Sequence, residues 1–157
     1  MKTHFKWSCL TLVTWGIYCY AQTTPGYYST GLCDSPGYHC IKIESGQNWD
    51  SLFPNPVEKD IVQRINRTYN TLWPGKTLAV PNNMQNASLL DFAPFARKIE
   101  VQEKQIVVDQ DKLAWGAYDQ NGNLLRWGPI ASGSTKCSDS ANSCLTLTGM
   151  FRVYNCL

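Results

Sequence analysis

The chain is 157 residues long and carries 14 Lys+Arg against 12 Asp+Glu, with seven cysteines. So even a charge balance gives no argument for binding nucleic acid or an acidic membrane. The sequence holds no Gly-x-Ser-x-Gly, no His-Glu-x-x-His, no phosphate loop and no Gly-x-Gly-x-x-Gly, so the enzyme classes built on those motifs drop out and no cofactor is expected.

Residues 1–21 read as a signal peptide. Lys2 and Lys6 supply a positive start, residues 7–20 are apolar, and Cys19-Tyr20-Ala21 forms a cleavage site after Ala21. The apolar run is shorter than the ~20 residues that cross a bilayer. The expectation is export to the periplasm or beyond, with no stable membrane span. Cleavage takes Lys2 and Lys6 from the 14 bases and no acid, leaving 12 against 12. It also removes Cys9 and Cys19. In an oxidising compartment the remaining cysteines favour disulfides. The local pairs Cys33–Cys40 and Cys137–Cys144 are the economical choice, with Cys156 left over. The cysteines lack the Cys-x-x-Cys spacing of zinc sites. Asp109, Asp111 and Asp119 fall at strand ends and turns, so no metal site is expected.

Residues 22–37, rich in Gly, Pro, Ser and Thr, read as a linker. A compact unit follows over residues 38–81. Ile41 and Ile43 share one face of a short strand, and Ser45-Gly46-Gln47 forms a turn. Asn48 caps a short helix whose buried side is Trp49, Leu52 and Phe53. Asn55-Pro56-Val57-Glu58 is a second helix start, with Pro at the first helical position. That helix is predicted to run to about Arg67, with Val57, Ile61 and Ile65 in line at i, i+4 and i+8. Leu72-Trp73-Pro74-Gly75-Lys76 is a turn, and residues 77–80 a second strand ended by Pro81. The two strands are expected to pair antiparallel beside the helices.

This unit resembles a LysM module. Ile41-x-Ile43-x-x-Gly46-Gln47-Asn48-Trp49 stands where that family has Tyr-x-Val-x-x-Gly-Asp-Thr-Leu. Leu52, Ile65-Asn66 and Pro74-Gly75-Lys76-Thr77-Leu78-Ala79-Val80-Pro81 match its later positions. The resemblance implies binding of N-acetylglucosamine-containing glycans, chiefly peptidoglycan, in a groove between the loops at residues 46–49 and 70–73. The candidate binding residues are Gly46, Gln47, Asn48, Asn70 and Trp73. Amides both donate and accept, as acetamido and hydroxyl groups require, and a Trp face can stack on a pyranose. The competing reading makes the tryptophans core and the amides turn formers. The spacing of Trp49 favours the core, whereas Trp73 is left open.

Residues 82–97 read as a linker in which Leu89-Leu90-Asp91-Phe92 is too short, and too close to Pro94, for a full helix. Residues 97–101 are expected to begin the next unit with a strand. Asn66-Arg67-Thr68 and Asn86-Ala87-Ser88 match the N-glycosylation pattern, which a bacterial reading makes accidental. Three antiparallel strands are then predicted between residues 105 and 129. Ile106, Val107 and Val108 are β-branched, Asp111-Lys112 is a turn, and Leu113, Trp115 and Ala117 alternate with Ala114, Gly116 and Tyr118. Asn121-Gly122 is a strong hairpin signal, and residues 124–127 return.

Residues 98–154 resemble the opening of the L,D-transpeptidase catalytic domain. The match runs through Asp109-x-Asp111-Lys112-Leu113-x-x-x-Ala117-Tyr118-Asp119, the Asn-Gly turn, Leu124-x-Arg126-Trp127-x-Pro129-x-x-Ser132-Gly133 and Thr146-Leu147-Thr148-Gly149-Met150-Phe151, with Leu147 where Pro is usual. LysM plus transpeptidase is also the layout of the "enhanced entry" proteins of intracellular bacterial pathogens. The family attacks peptidoglycan stem peptides through a Cys activated by His, in a Ser-His-Gly-Cys motif. These 157 residues have no counterpart of that motif, so no catalytic residue is assigned, and a truncated, inactive form is expected. The expected class is α+β: a βααβ module (38–81), then an incomplete, mainly antiparallel β domain (98–157). Such a part-built sheet would leave the faces around Ile106, Val108 and Trp115 without cover.

Overall fold

The computed structural model describes residues 31–133 and 144–152; the expected signal peptide (residues 1–21) and Cys156 lie outside them. The class is α+β, with a two-stranded and a three-stranded sheet, both antiparallel. β1 (Tyr38–Lys42) pairs with β2 (Thr77–Pro81), Cys40 opposite Ala79. Between them run α1 (Trp49–Leu52) and α2 (Pro56–Ile65), so the order is strand, helix, helix, strand.

Both helix starts are written locally. Asn48 Oδ1 accepts the amides of Asp50 and Ser51 at 3.0 and 2.9 Å, and Ser51 Oγ accepts the amide of Asn48 in return. Asn55 Oδ1 accepts from Val57, and Pro56 takes the first helical position, where no donor is needed. The end of α2 differs from the prediction. It stops at Ile65, because Thr68 N–H turns back to the Gln63 carbonyl at 3.0 Å and Arg67 N–H to that of Arg64 at 3.1 Å. These are the two bonds of a Schellman ending. The left-handed residue is Arg67, φ 53°, where glycine is usual. Such a conformation costs on the order of 1–3 kcal/mol in a non-glycine residue, and the arginine's contacts, below, offset it.

The periodicity was right for Ile61 and Ile65, 0 % and 2 % exposed, but Val57 is 50 % exposed. Val57 lies one turn before the core begins and joins neither of its clusters. Val62 is the helix residue that reaches Ile43, Trp49, Phe53, Leu72 and Leu78, while Ile61 and Ile65 pack on Ala79. Asn66 sews helix to strand from a buried position. Its Nδ2 donates to the carbonyls of Val62 and Ala79 at 2.7 and 2.8 Å, and its Oδ1 accepts Ala79 N–H at 2.8 Å. The Cys33–Cys40 disulfide forms, with Cα atoms 5.5 Å apart, and ties the preceding segment to β1. The Cys137–Cys144 pairing lies outside the described residues through Cys137; Cys144 is itself in a disulfide.

Residues 82–97 hold one 3-10 turn, η1 (Leu89–Phe92), at whose start Asp91 Oδ2 accepts Ser88 N–H at 2.7 Å. The strand predicted at residues 97–101 is reduced to one bridge, Lys98 to Asn123. β3 (Gln105–Asp109), β4 (Ala114–Tyr118) and β5 (Leu124–Pro129) follow in sheet order. Both hairpin loops are longer than predicted. Asp109 Oδ1 accepts the amides of Asp111 and Lys112, which extends the first loop to Leu113. Leu113 is thus a fully buried loop residue at φ 48°, not the first residue of a strand. In the second loop Gly122 N–H closes on the Asp119 carbonyl at 3.0 Å, and the pairing slips between Ala117 and Tyr118. Gly122 sits at φ 77°, and a Cβ there would lie 1.8 Å from the Ile99 carbonyl oxygen.

Ala114, Gly116 and Tyr118 face inward, and Ile106 and Val108 stand 62 % and 55 % exposed on the outer face. Trp127, buried on β5, links the sheet to the α/β unit. Its Nε1 donates to the Leu89 carbonyl, and its own carbonyl accepts from Arg64 Nη1. The guanidinium carbons of Arg64 and Arg67 lie 6.0 and 5.3 Å from its ring centre. Arg67 Nε donates to the Lys112 carbonyl at 2.9 Å.

Two measurements check this arrangement. In urea unfolding, Ile61→Ala costs about 2–5 kcal/mol, whereas Val57→Ala stays within about 0.5 kcal/mol of the parent chain. The second concerns acid. The side chain and backbone of Asn123, with the backbone of Asn121, donate to Asp119 and hold its carboxyl below the ordinary 3.8. A carboxyl depressed in the folded state stabilises fully above its unfolded pKa and loses that effect as pH falls through the folded value. Thermal stability should therefore fall on acidification below about 4, and Asp119→Asn should lessen the acid dependence of the midpoint.

Candidate functional site

Five residues were singled out on two loops, and the structure divides them. Gly46 makes the turn after β1 at φ 85°. Gln47 Oε1 accepts the Glu44 amide at 2.8 Å, and Asn48 is spent on its helix cap. Trp49 is core, 9 % exposed, and its Nε1 donates to the Asn70 carbonyl at 2.8 Å. That bond pins the 70–73 loop to the 46–49 loop. The loops are therefore neighbours, but their polar side chains do not converge on one surface.

Asn70 and Trp73 both line a groove of about 710 Å³. Trp73 is 54 % exposed. Lys76 Nζ sits 4.1 Å from the centre of its ring, a cation–π distance. The far wall is Pro129, Ile130 and Ala131, the end of β5 and the residues after it. Thr68 Oγ1 accepts the Asn70 amide at 3.3 Å, which shapes the near wall. Burial pushes the Lys76 ammonium below its usual pKa and the Tyr69 phenol above its own. Gly46, Gln47 and Asn48 do not line this groove.

Nothing local in the sequence marks Arg67, Lys76 or Pro129–Ala131 as lining this groove. Lys76 was visible only as part of a Pro-Gly-Lys turn. The far wall lies more than fifty residues downstream, and the contacts of Arg64 and Arg67 with Trp127 and Lys112 bring it close.

His39 and Cys40 are adjacent but do not form a catalytic pair. His39 Nδ1 is 2.9 Å from Asn82 Oδ1, and Cys40 is bonded to Cys33. All three described cysteines, Cys33, Cys40 and Cys144, are in disulfides, so none offers a thiolate. Among the described residues no group of three or more His, Cys, Asp or Glu is placed to hold a metal, and no helix is long and apolar enough to cross a membrane.

Replacing Trp49 separates its two duties. Trp49→Ala should cost about 3–5 kcal/mol in chemical denaturation. Trp49→Phe keeps an aromatic ring, lacks the bond to Asn70, and should cost about 1–2 kcal/mol.

No protein-family model matches the chain, and neither a curated protein nor a solved structure matches it.

Proposed function

We propose that this is an exported cell-wall protein that binds peptidoglycan through residues 38–81, acting as a LysM-like module. On this reading residues 98–157 correspond to the opening strands of an L,D-transpeptidase-like domain. The observation that carries it is the Asn70–Trp73 loop, where an amide and a half-exposed indole both line one groove, in a loop held by the bond from Trp49 to Asn70. That pairing suits a sugar, whose acetamido and hydroxyl groups need donors and acceptors and whose ring needs an apolar face. The strand–helix–helix–strand order and the Cys33–Cys40 disulfide support the reading. A disulfide suits an oxidising compartment, as export requires.

The chemistry of the described residues favours holding over cutting. Transpeptidation through cysteine needs a thiolate within hydrogen-bond reach of a base, and the thiol of Cys40, beside His39, is consumed by its disulfide. The function is accordingly proposed as glycan retention, and the chain alone is expected to release no D-alanine from tetrapeptide muropeptides.

The test is sedimentation with purified peptidoglycan. Trp73→Ala should lower retention about tenfold, the scale of losing an aromatic anchor, with an unchanged unfolding midpoint. Asn70→Ala combined with Trp73→Ala should lower it further. Undiminished retention in the double variant would remove binding from this loop.

A further inference from the structure

The groove beside Trp73 has a sign. Two of its lining residues, Arg67 and Lys76, are cationic, and no Asp or Glu lines it among the described residues. Asp60, which the Tyr69 hydroxyl approaches at 3.5 Å, is already paired with Arg64 at 3.0 Å. Lys76 is part-buried, and the one hydrogen-bond contact of its ammonium among the described residues is Thr68 Oγ1, at a long 3.5 Å. A cation withdrawn from water is costly unless an anion or good acceptors replace the water. Burial lowers the Lys76 pKa in the direction that cost requires. Arg67, whose guanidinium is held by the Lys112 carbonyl and the Trp127 ring, adds positive potential.

We propose that this junction groove binds a saccharide bearing a carboxylate, with Trp73 as the platform for a pyranose face and Lys76 as the partner of the acid. The proposal rests on the glycan-binding reading above and narrows it, because a neutral chitin-type oligomer makes no use of either cation. The ammonium lies over the ring, 4.1 Å from its centre, so a carboxylate that draws Lys76 aside both pairs with it and opens that indole face to the pyranose. Pro129, Ile130 and Ala131 close the groove opposite, so the acid enters a site of lowered dielectric, where a charge-assisted bond is stronger than at an open surface. The second sheet thus contributes to recognition by narrowing the space around Lys76.

The experiment is calorimetric titration of the full mature chain with three probes. The first is an alternating oligomer of N-acetylglucosamine and N-acetylmuramic acid. The second is the same oligomer with its carboxyls reduced to alcohols. The third is an N-acetylglucosamine oligomer of equal length. The acidic oligomer should bind about tenfold more tightly than its reduced form at low salt, and the margin should shrink as ionic strength rises. Lys76→Gln should bring the ratio of the two affinities close to one. Ala131→Glu, which places an anion on the far wall without touching Lys76, should do the same and covers the case in which Lys76→Gln folds poorly. Equal binding of the acidic and reduced forms by the parent chain overturns this inference and leaves glycan binding standing. A preference that persists in both variants overturns the assignment to this groove. Binding of none of the three probes overturns the inference together with the reading on which it rests.

Discussion

Trp127 is the residue through which the two sheets are one structure. Three kinds of contact converge on it: its indole N–H on Leu89, its carbonyl under Arg64, and its ring beside two guanidinium groups. Each cation–π contact in a desolvated setting contributes about 1–2 kcal/mol, and a hydrogen bond from a charged donor about 1.5–3 kcal/mol. Arg64 leaves from the last turn of α2, and Arg67 from the left-handed ending just beyond it. A glycine at position 67 would relieve the backbone but would delete the guanidinium that meets both the Trp127 ring and the Lys112 carbonyl. The unusual helix ending and the joint between the sheets are therefore one feature. The groove beside Trp73 inherits its far wall from it.

Three tryptophans show why side-chain identity alone says little about role. Trp49 and Trp127 are buried, and each sends its N–H to a backbone carbonyl of a neighbouring segment. Both therefore act as staples, one between loops and one between units. Trp73 is half-exposed with a lysine over its ring. A buried indole needs a hydrogen-bond acceptor, and the position of such an acceptor depends on the fold.

What could be read from the residues follows the range of the interactions. The caps at Asn48 and Asn55, the turns at Gly46, Gly75 and Gly122, and the three strands between residues 105 and 129 depend on neighbours within a few positions, and they were legible. Leu113 was misplaced because the Asp109 side chain captures two amides and lengthens the loop, a competition between side chain and ladder that periodicity does not see. Val57 fits the helical period, but the period says which face a residue occupies and not where along the helix the core begins. At the candidate site, Asn70 and Trp73 were legible as a sugar-compatible pair, because the loop that carries them is continuous in sequence. The cations and the far wall were not, because they arrive through the contact of Arg64 and Arg67 with Trp127.

Asn66 carries a consequence for which substitutions the chain can accept. Its side chain uses a donor and an acceptor at once, and both ends of that exchange meet Ala79. Aspartate has the reach but no donor. Leucine has neither group and would strand the Ala79 amide and carbonyl. Glutamine has both groups on a longer arm in a site that is 1 % exposed. Asparagine is thus the single residue whose length and polarity fit together there. Drift in the surrounding sequence can change Tyr69 or Val57 at little cost, but this position has no neutral neighbour in sequence space. Across variants of this chain it should be among the last to vary, for a reason that is wholly architectural.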